Sequence, residues 1–404
     1  MPANSPEGKE GNAVNSTHRP PTEVRNSVGR TRLATGTLAS QSPAAMHDAR
    51  LRQAHLPLNS VDVRPHLRRD PWPQKIARRL ITVPILVLFT ALWLAAGVVV
   101  LPVFFVADVV ARRPLLWCRF YISLAFIIAG QLYGIGGIFI IWVISGFGHK
   151  YQRCNDLSAR WTGHWGKWNV DILKRVYNMR FTVTGSEVLR DGPTILMSRH
   201  ASIIDTIMPI GLVQSPHGVR LRIVLKHELL YSATVDSIGH RVPTAFIKRS
   251  SGNMDRELAA MRKMTGDLHA QESVLIFPEG TRYSPAKRAE IIGKLRNKDA
   301  AAADRAEQLS HVLPIRPGGV LTLLDQLPDA DVVFCAHTGF EQANRLEDFF
   351  AGGLYGADVH VTYWRVPAHT IPTETEARMA FLHSEWQKVN AFVAAHAAKA
   401  AQRN

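Results

Sequence analysis

The 404-residue sequence contains only three cysteines, and this scarcity excludes several classes of protein. Cys118, Cys154 and Cys335 are odd in number and far apart, which supports neither a disulfide framework nor a zinc site, so we expect them to be buried. A Gly-x-Ser-x-Gly segment, the turn that exposes a serine nucleophile, is also absent. Histidines and carboxylates nowhere show the spacing of metal ligands. We therefore expect neither a metal nor another cofactor.

Acidic residues are in short supply relative to basic ones. The chain has 48 lysines and arginines against 33 aspartates and glutamates, which gives a formal net charge of +15. Such an excess requires an anionic partner, which could be nucleic acid, anionic lipid or a phosphorylated substrate. The basic residues gather before residue 80 and beside long apolar segments, without the aromatic interleaving of a nucleic-acid module. We expect membrane lipids, and no nucleic acid, as partners.

Two long uncharged runs predict membrane association. Residues 80–107 and 120–148 contain no charged side chain, and each exceeds the roughly 20 residues that cross a bilayer. The short link 108–119 makes the pair a helical hairpin. Basic residues flank both outer ends, so the positive-inside rule places the tail and the C-terminal domain of this integral membrane protein on the cytoplasmic face. Arginines in the link leave open a hairpin that enters one leaflet and returns.

The chain divides into four predicted parts. Residues 1–74 are polar and lack apolar periodicity, which predicts a disordered basic tail. The membrane hairpin occupies residues 75–150. Short apolar runs alternate with helical patterns across residues 151–373, which predicts an α/β domain whose mostly parallel sheet is flanked by helices. Residues 374–404 form a C-terminal amphipathic helix whose apolar stripe serves core packing or membrane docking.

The α/β domain has predicted elements and one helix of special composition. Strands are expected at 180–183, 194–197, 221–225, 273–276, 332–336 and 359–364, and helices at 205–212, 254–270 and 291–309. The helix over residues 151–179 carries Trp161, Trp165 and Trp168 among basic residues, which suits a membrane interface, with ordinary core packing as the alternative. A glycine pair at 130 and 134 predicts close packing within the hairpin.

The chemistry centres on His200, which lies five residues before Asp205 and just after the apolar run 194–197. On one continuous helix five residues turn through roughly 500°, so the two side chains would point about 140° apart. They can meet only if His200 lies on a strand-to-helix turn and Asp205 on the first turn of the helix. An imidazole held by a carboxylate is a general base. Ser202 lies between them and is a weaker alternative, as a nucleophile.

A second motif, Phe277-Pro278-Glu279-Gly280-Thr281-Arg282, follows another apolar run. It brings a carboxylate, a flexible glycine, a hydroxyl and a guanidinium to one strand end, as recognition of a phosphorylated polyol requires.

Together the two motifs resemble the glycerolipid acyltransferase family, whose best-known members are 1-acylglycerol-3-phosphate O-acyltransferases. Weaker blocks of that family follow the same order in this chain: Lys226-His227-Glu228-Leu229, Phe246-Ile247-Lys248-Arg249, and the segment from His311 to Gly319. The resemblance covers about a third of the chain, from residue 181 to 320. It implies transfer of a fatty acyl group from a thioester, carried by coenzyme A or acyl carrier protein, to the hydroxyl of a lysophospholipid.

The resemblance also implies roles for individual residues. His200 is the base and Asp205 its partner, and the acceptor attacks directly in a ternary complex. Arg282 binds phosphate, Glu279 and Thr281 bind glycerol hydroxyls beside Gly280, and Lys248 with Arg249 adds a second cationic contact. Where many family members have asparagine before the histidine, this chain has Arg199, which would lower the pKa of the base or bind phosphate unless it points away.

The acceptor expected from this resemblance is 1-acylglycerol 3-phosphate, with phosphatidic acid as the product. Another lyso-lipid, such as lysophosphatidylinositol or lysocardiolipin, is the first alternative. The second is a non-catalytic lipid-binding protein, against which the intact histidine and aspartate argue.

Overall fold

A computed structural model describes residues 70–190, 192–248, 254–266, 268–343 and 346–401. Almost all of the predicted basic tail, and Arg249 of the second cationic pair, lie outside the described residues.

The N-terminal part is a hairpin of two long helices, α1 (Trp72–Val110) and α2 (Leu116–Ile144). Both are long and apolar enough to cross a membrane, judged by length and composition. At 1.5 Å per residue, the 39 residues of α1 extend about 58 Å, well beyond the roughly 30 Å of a hydrocarbon core. The predicted hairpin is therefore confirmed as a structural element, in which α1 is longer than the uncharged run 80–107 and α2 is as long as the run 120–148 but begins four residues earlier.

Helix α3 (Tyr151–Val176) packs along α2, and its tryptophans face that helix, as in the core-packing alternative, and not a membrane interface. The indole N–H of Trp165 donates to the carbonyl of Gly130 at 2.7 Å. A β-carbon added at Gly137 would lie 1.9 Å from the Trp161 ring. The glycines of α2 thus admit the tryptophans of α3, instead of packing against α1, and the tryptophans face protein.

The sheet has seven strands: β1 (Arg180–Thr184), β2 (Thr194–Ser198), β3 (Arg220–Lys226), β4 (Thr244–Ile247), β5 (Glu272–Ile276), β6 (Asp331–Thr338) and β7 (Asp358–Val366). Their order is β1-β7-β6-β2-β5-β3-β4, and every neighbouring pair is parallel except β6 and β7. The mostly parallel sheet is confirmed. All six predicted strands are present, and the short β4 is an addition.

Helices cover the sheet: α4 (Ser215–His217), α5 (Ala233–Gly239), α6 (Met254–Thr265), α7 (Pro285–Arg296), α8 (Ala300–Glu307), α9 (Pro317–Gln326), α10 (Leu346–Phe350) and α11 (Thr375–Ala401). Single turns of 3₁₀ helix occur at Ser186–Leu189, Ile203–Thr206, His227–Tyr231 and Ala368–Thr370, and a π-helical turn at Ile210–Gln214. The region 205–212, predicted as one helix, contains the end of a 3₁₀ turn and, from residue 208, the start of a helical segment that includes the π turn and α4, and 291–309 is two helices.

The core lies on both faces of the sheet, which explains the continuous apolar runs of β2 and β5. The apolar stripe of α11, represented by Leu382, Trp386 and Val389, is completely buried against it, so core packing is the correct interpretation. All three cysteines are buried, as expected. Because β2, β3, β4, β5 and β6 run in one direction, their carboxyl ends share one edge, where open α/β sheets bind their ligands.

Candidate active site

His200 and Asp205 meet at the carboxyl end of β2. The strand ends at Ser198, and a 3₁₀ turn begins at Ile203 with Ser202 as its N-cap. Asp205 is the third residue of that turn and completes a capping box with Ser202. As a result the Nδ1 atom of His200 lies 3.3 Å from the Oδ2 atom of Asp205. The predicted strand-to-turn geometry is confirmed.

Contacts with two histidines and with backbone amides keep Asp205 ionised. Burial alone would raise the pKa of Asp205, but His337, His200 and the Ser202 amide bring it below its ordinary value. The amides of Ala201 and Ser202 both donate to its Oδ2 atom, the latter at 2.6 Å. The His200 side chain retains 14% exposure, so with Nδ1 at Asp205 the other ring nitrogen is the one left for substrate.

Ser202 has a structural role and does not fit the alternative of a nucleophile. It is fully buried, and its hydroxyl donates to the carbonyl of Ala343 at 2.6 Å while accepting from the amide of Ile204.

Glu279 occupies a different position from the one expected of a substrate ligand. It is fully buried, and its two carboxyl oxygens accept the backbone amides of His200 at 2.9 Å and Leu313 at 3.1 Å. Burial raises its pKa to about 8, against the opposing effects of Arg199 and these amides. Glu279 therefore joins the histidine turn to the segment after α8, and it does not reach glycerol hydroxyls.

Arg199 points away from the substrate side and is also fully buried. Its guanidinium donates to the carbonyls of His337 at 2.7 Å and His311 at 3.0 Å, and it pairs with Glu341. The Nε2–H of His337 donates back to the Arg199 carbonyl at 2.9 Å. Phosphate binding by Arg199 is thus excluded by its burial, and the cation instead holds three segments together.

The rest of the second motif becomes more exposed from Pro278, which is buried, to Arg282. Gly280 adopts a φ of +70°, and a β-carbon there would lie 2.7 Å from Cδ of Arg316, so both the backbone and the neighbouring side chain require glycine. Thr281 is half-buried and Arg282 is exposed. The amide of Arg316 donates to the Pro278 carbonyl at 2.9 Å, which fixes a second exposed cation beside the motif.

The predicted cationic contact at Lys248 is more distant. Lys248 is exposed just after β4, three strands from β2 in the sheet order. At roughly 4.8 Å per strand this places it about 14 Å from the histidine turn. Its backbone amide donates to Glu257 at 3.0 Å. Lys248 can therefore contact only a part of a ligand that is remote from the reacting hydroxyl.

An apolar cavity of about 130 Å³ opens beside the turn that carries Asp205. Thr206 and Ile207 line it there, Ile223 and Leu225 of β3 form one side, and Glu272 closes it near the amino end of β5. The volume is close to that of an engineered cavity that binds benzene, so the cavity can hold a segment of an alkyl chain.

Sequence reasoning missed Arg316 and His337. Arg316 lies in the segment from His311 to Gly319, which resembles a block of the family. Its position directly before Pro317, the first residue of α9, was the available sign that it lies at the start of a helix. His337 gave no signal, because only the pairing of β2 with β6 brings its ring within 3.7 Å of Asp205.

Comparison with known families identifies one domain of the chain. A family model described as Acyltransferase matches residues 180–319, the span that contains both motifs and the edge of the sheet that presents them. This match supports the glycerolipid acyltransferase family as the family of that domain. The chain is accordingly an O-acyltransferase, and the prediction of an enzyme is confirmed.

Individual relatives of this acyltransferase are distant. Mouse lysocardiolipin acyltransferase 1 is 22% identical over 284 residues, which cover 67% of this chain and 72% of the relative. The chicken protein of the same name is 21% identical over 267 residues, which cover 64% of this chain and 67% of the relative. The crystal structure of the 1-acyl-sn-glycerophosphate acyltransferase PlsC from Thermotoga maritima matches with a TM-score of 0.46 and 14% identity, covering 70% of this chain and 95% of that one.

Proposed function

We propose that this acyltransferase moves a fatty acyl group from a thioester to the free hydroxyl of a lysophospholipid, with 1-acylglycerol 3-phosphate as acceptor and phosphatidic acid as product. One observation supports this most directly: the His200–Asp205 pair is bonded to the motif that ends in the exposed Arg282, and residues that follow Asp205 line an apolar cavity. Acyl transfer from a thioester to a lysophospholipid requires a base, a contact for the phosphate and space for the alkyl chains.

In the proposed reaction His200 removes the proton of the acceptor hydroxyl as its oxygen attacks the thioester carbonyl carbon. A C–O bond forms, the C–S bond breaks as the tetrahedral intermediate collapses, and the proton passes from the imidazolium to the leaving thiolate. Asp205 orients the ring and stabilises the imidazolium. The buried amide contacts of Asp205 hold it as the carboxylate that this role needs.

The substrates are assigned by chemistry. Arg282 and Arg316, exposed on either side of Gly280, provide guanidinium donors for the acceptor phosphate, and Thr281 contacts a glycerol hydroxyl. Lys248, and Arg249 next to it, contact a more remote anionic group, such as the nucleotide phosphates of coenzyme A. The apolar cavity takes a segment of the acyl chain.

A different acceptor, lysocardiolipin, is the second candidate. The relatives that support it are those named lysocardiolipin acyltransferase 1. Lysophosphatidylinositol remains a third acceptor of the same chemical class. The intact base and its partner count against a protein that only binds lipid.

The test is acyl transfer by membranes that contain wild type, His200→Ala, Asp205→Asn or, as a matched histidine control, His383→Ala on α11. Oleoyl thioesters of coenzyme A and acyl carrier protein are offered with 1-acylglycerol 3-phosphate, lysocardiolipin and lysophosphatidylinositol. We expect His200→Ala to lose about 10²- to 10⁴-fold in rate and His383→Ala to keep wild-type rates. Transfer that survives in His200→Ala refutes the mechanism, and the preferred acceptor in the panel decides the substrate.

We also infer that the hairpin enters one leaflet and does not span the bilayer. At the link, Arg119 donates to the carbonyl of Val176, and Phe120 stacks on Phe350 with ring centroids 3.8 Å apart. At the other end of α1, Arg79 pairs with Asp236 of α5 at 2.6 Å. A spanning hairpin would have its link on the opposite side of the membrane, whereas here both ends contact the α/β domain.

The outer face of α1 supplies the membrane contact. It exposes apolar side chains along its length, among them Leu80, Val98 and Val110, which are 70%, 77% and 77% exposed. Arginines 112 and 113 follow directly and are exposed as well. Apolar side chains that end in arginines suit burial in one leaflet with the cations at its headgroups. The basic flanks support the cytoplasmic leaflet as the one that the hairpin enters.

A further inference from the structure

The carboxylate of Asp236 forms an ion-pair network with the start of α1. Asp236 lies on α5 and its side chain is 1% exposed. Its Oδ1 atom accepts the Nε–H of Arg78 at 3.1 Å, and its Oδ2 atom accepts the Nε–H of Arg79 at 2.6 Å. Asp70 binds Arg78 from the other side at 2.8 Å, and His240 Nε2 lies 3.4 Å from Asp70. The side chains of Asp70, Asp236 and His240 lie close enough together to bind a metal ion, but the carboxylates are already paired with Arg78 and Arg79.

The same short helix forms one wall of the apolar cavity. Val235, Ile238 and Gly239 of α5 line the cavity. Thr234 donates to the carbonyl of Gln131 on α2 at 2.9 Å, and Ile238 belongs to the small apolar cluster that includes Ile138 of α2. Helix α5 is therefore held by both helices of the hairpin while it borders the cavity.

Glycine at position 239 shows how tightly this wall is placed. A β-carbon there would lie 2.7 Å from the ring of Phe246 on β4. Glycine thus permits a close approach of this end of α5 to the sheet, and the contacts with the hairpin hold the helix from its other side. Because α5 has only seven residues, its own hydrogen bonds fix little of its position.

From this arrangement we propose that Asp236 is a positioning residue that couples the membrane hairpin to the width of the acyl cavity. The pairs with Arg78 and Arg79 hold α5 at the distance that suits one range of acyl chains. Release of the pairs frees α5 from the start of α1, so this wall of the cavity is no longer held in place, and the acyl-chain preference changes without any change to the base. The inference rests on the proposed function, since it takes the cavity as the acyl site.

The experiment measures chain preference in full-length protein in membranes, with short, medium and long acyl-CoA donors competing for one lysophospholipid. For Asp236→Asn we expect the ratio of kcat/KM between the longest and shortest donors to change about tenfold, while KM for the lysophospholipid stays at the wild-type value. Arg78→Gln with Arg79→Gln should cause the same change, and adding Asp236→Asn to that pair should change nothing more, because all three residues act through one contact.

The matched control is Arg119→Gln, which removes a contact between the hairpin and the α/β domain at the link, away from the cavity. Its chain preference should equal that of wild type. An unchanged preference in Asp236→Asn, or an equal change in Arg119→Gln, overturns the inference. Absence of transfer by wild type to every lysophospholipid would instead reject the proposed function. If Asp236→Asn does not fold, Asp236→Glu keeps the charge and displaces α5 by a methylene, and unchanged preference in that variant overturns the inference equally.

Discussion

Substitution of Glu279 by glutamine tests the charge of the buried carboxyl group that joins the histidine turn to Leu313. Two effects oppose each other at this group. Burial raises its pKa from 4.5 to about 8, whereas two amide donors and the neighbouring Arg199 favour the carboxylate. At 1.36 kcal/mol per pKa unit, a shift of this size corresponds to about 5 kcal/mol of preference for the neutral form.

The sign of the pH dependence follows from the raised pKa. Between pH 4.5 and about 8 the folded protein keeps the Glu279 proton and the unfolded chain releases it. The contribution of this group to the free energy of unfolding is thus full below pH 4.5 and is lost as the pH rises towards 8, by about 1.4 kcal/mol per unit. Glutamine cannot titrate. It carries a pH-independent cost of about 1–3 kcal/mol, because its NH₂ group faces one of the two amide donors.

The assay compares thermal unfolding of wild type and Glu279→Gln in detergent across pH 5 to 8. We expect wild type to be the more stable protein at pH 5 and its advantage to fall by about 4 kcal/mol over this range, so that Glu279→Gln becomes the more stable of the two near pH 8. Glu341→Gln is the control: burial alone would raise the pKa of Glu341, but Arg199 lowers it below its ordinary value, so its difference from wild type should be flat above pH 5. A flat difference for Glu279→Gln as well would refute the reasoning and show that the two amides outweigh burial.

Two further predictions concern the hairpin. Gly137→Ala should lower the free energy of unfolding by about 1–3 kcal/mol, because its methyl group would overlap Trp161. Gly136→Ala is the control and should have no cost, because the space at that position is open. Equal thermal unfolding of the two variants would contradict this packing. If the hairpin enters one leaflet, cysteines introduced by Arg112→Cys in the link and by Lys298→Cys on the α/β domain should react with an impermeant thiol reagent from the same side of sealed vesicles. The native cysteines are buried and should not react. Labelling of the two variants from opposite sides would show that the hairpin spans the membrane.

Local sequence pattern was sufficient for the features that depend on neighbours in the chain. The apolar runs of β2 and β5 predicted buried parallel strands, and the spacing of His200 and Asp205 allowed contact only at a strand-to-helix turn. Strand β4 was missed because four residues after Pro243 give too short a run to show a period. The long helix expected over 291–309 is interrupted where Asp299 caps a new helix.

Features that depend on what packs against a residue could not be read from the sequence. Tryptophans beside lysines suit both a lipid interface and a glycine-lined protein surface, and only the contact of α2 with α3 decides between them. Similarly, the residue types in the second motif do not show the direction in which each side chain points. Glu279 points inward to two amides, and Arg282 outward to solvent.

The two buried polar side chains next to the base explain why few groups are left to contact the substrate. Arg199 and Glu279 hold the segments around the histidine turn, and both are completely buried and bound to backbone groups. Neither can contact a substrate. The polar groups that the site offers to a substrate are therefore the base His200, the Thr281 hydroxyl and exposed cations such as Arg282. The base is indifferent to which lysophospholipid carries the hydroxyl. Discrimination between acceptors must therefore arise from the placing of those cations, and discrimination between donors from the apolar cavity.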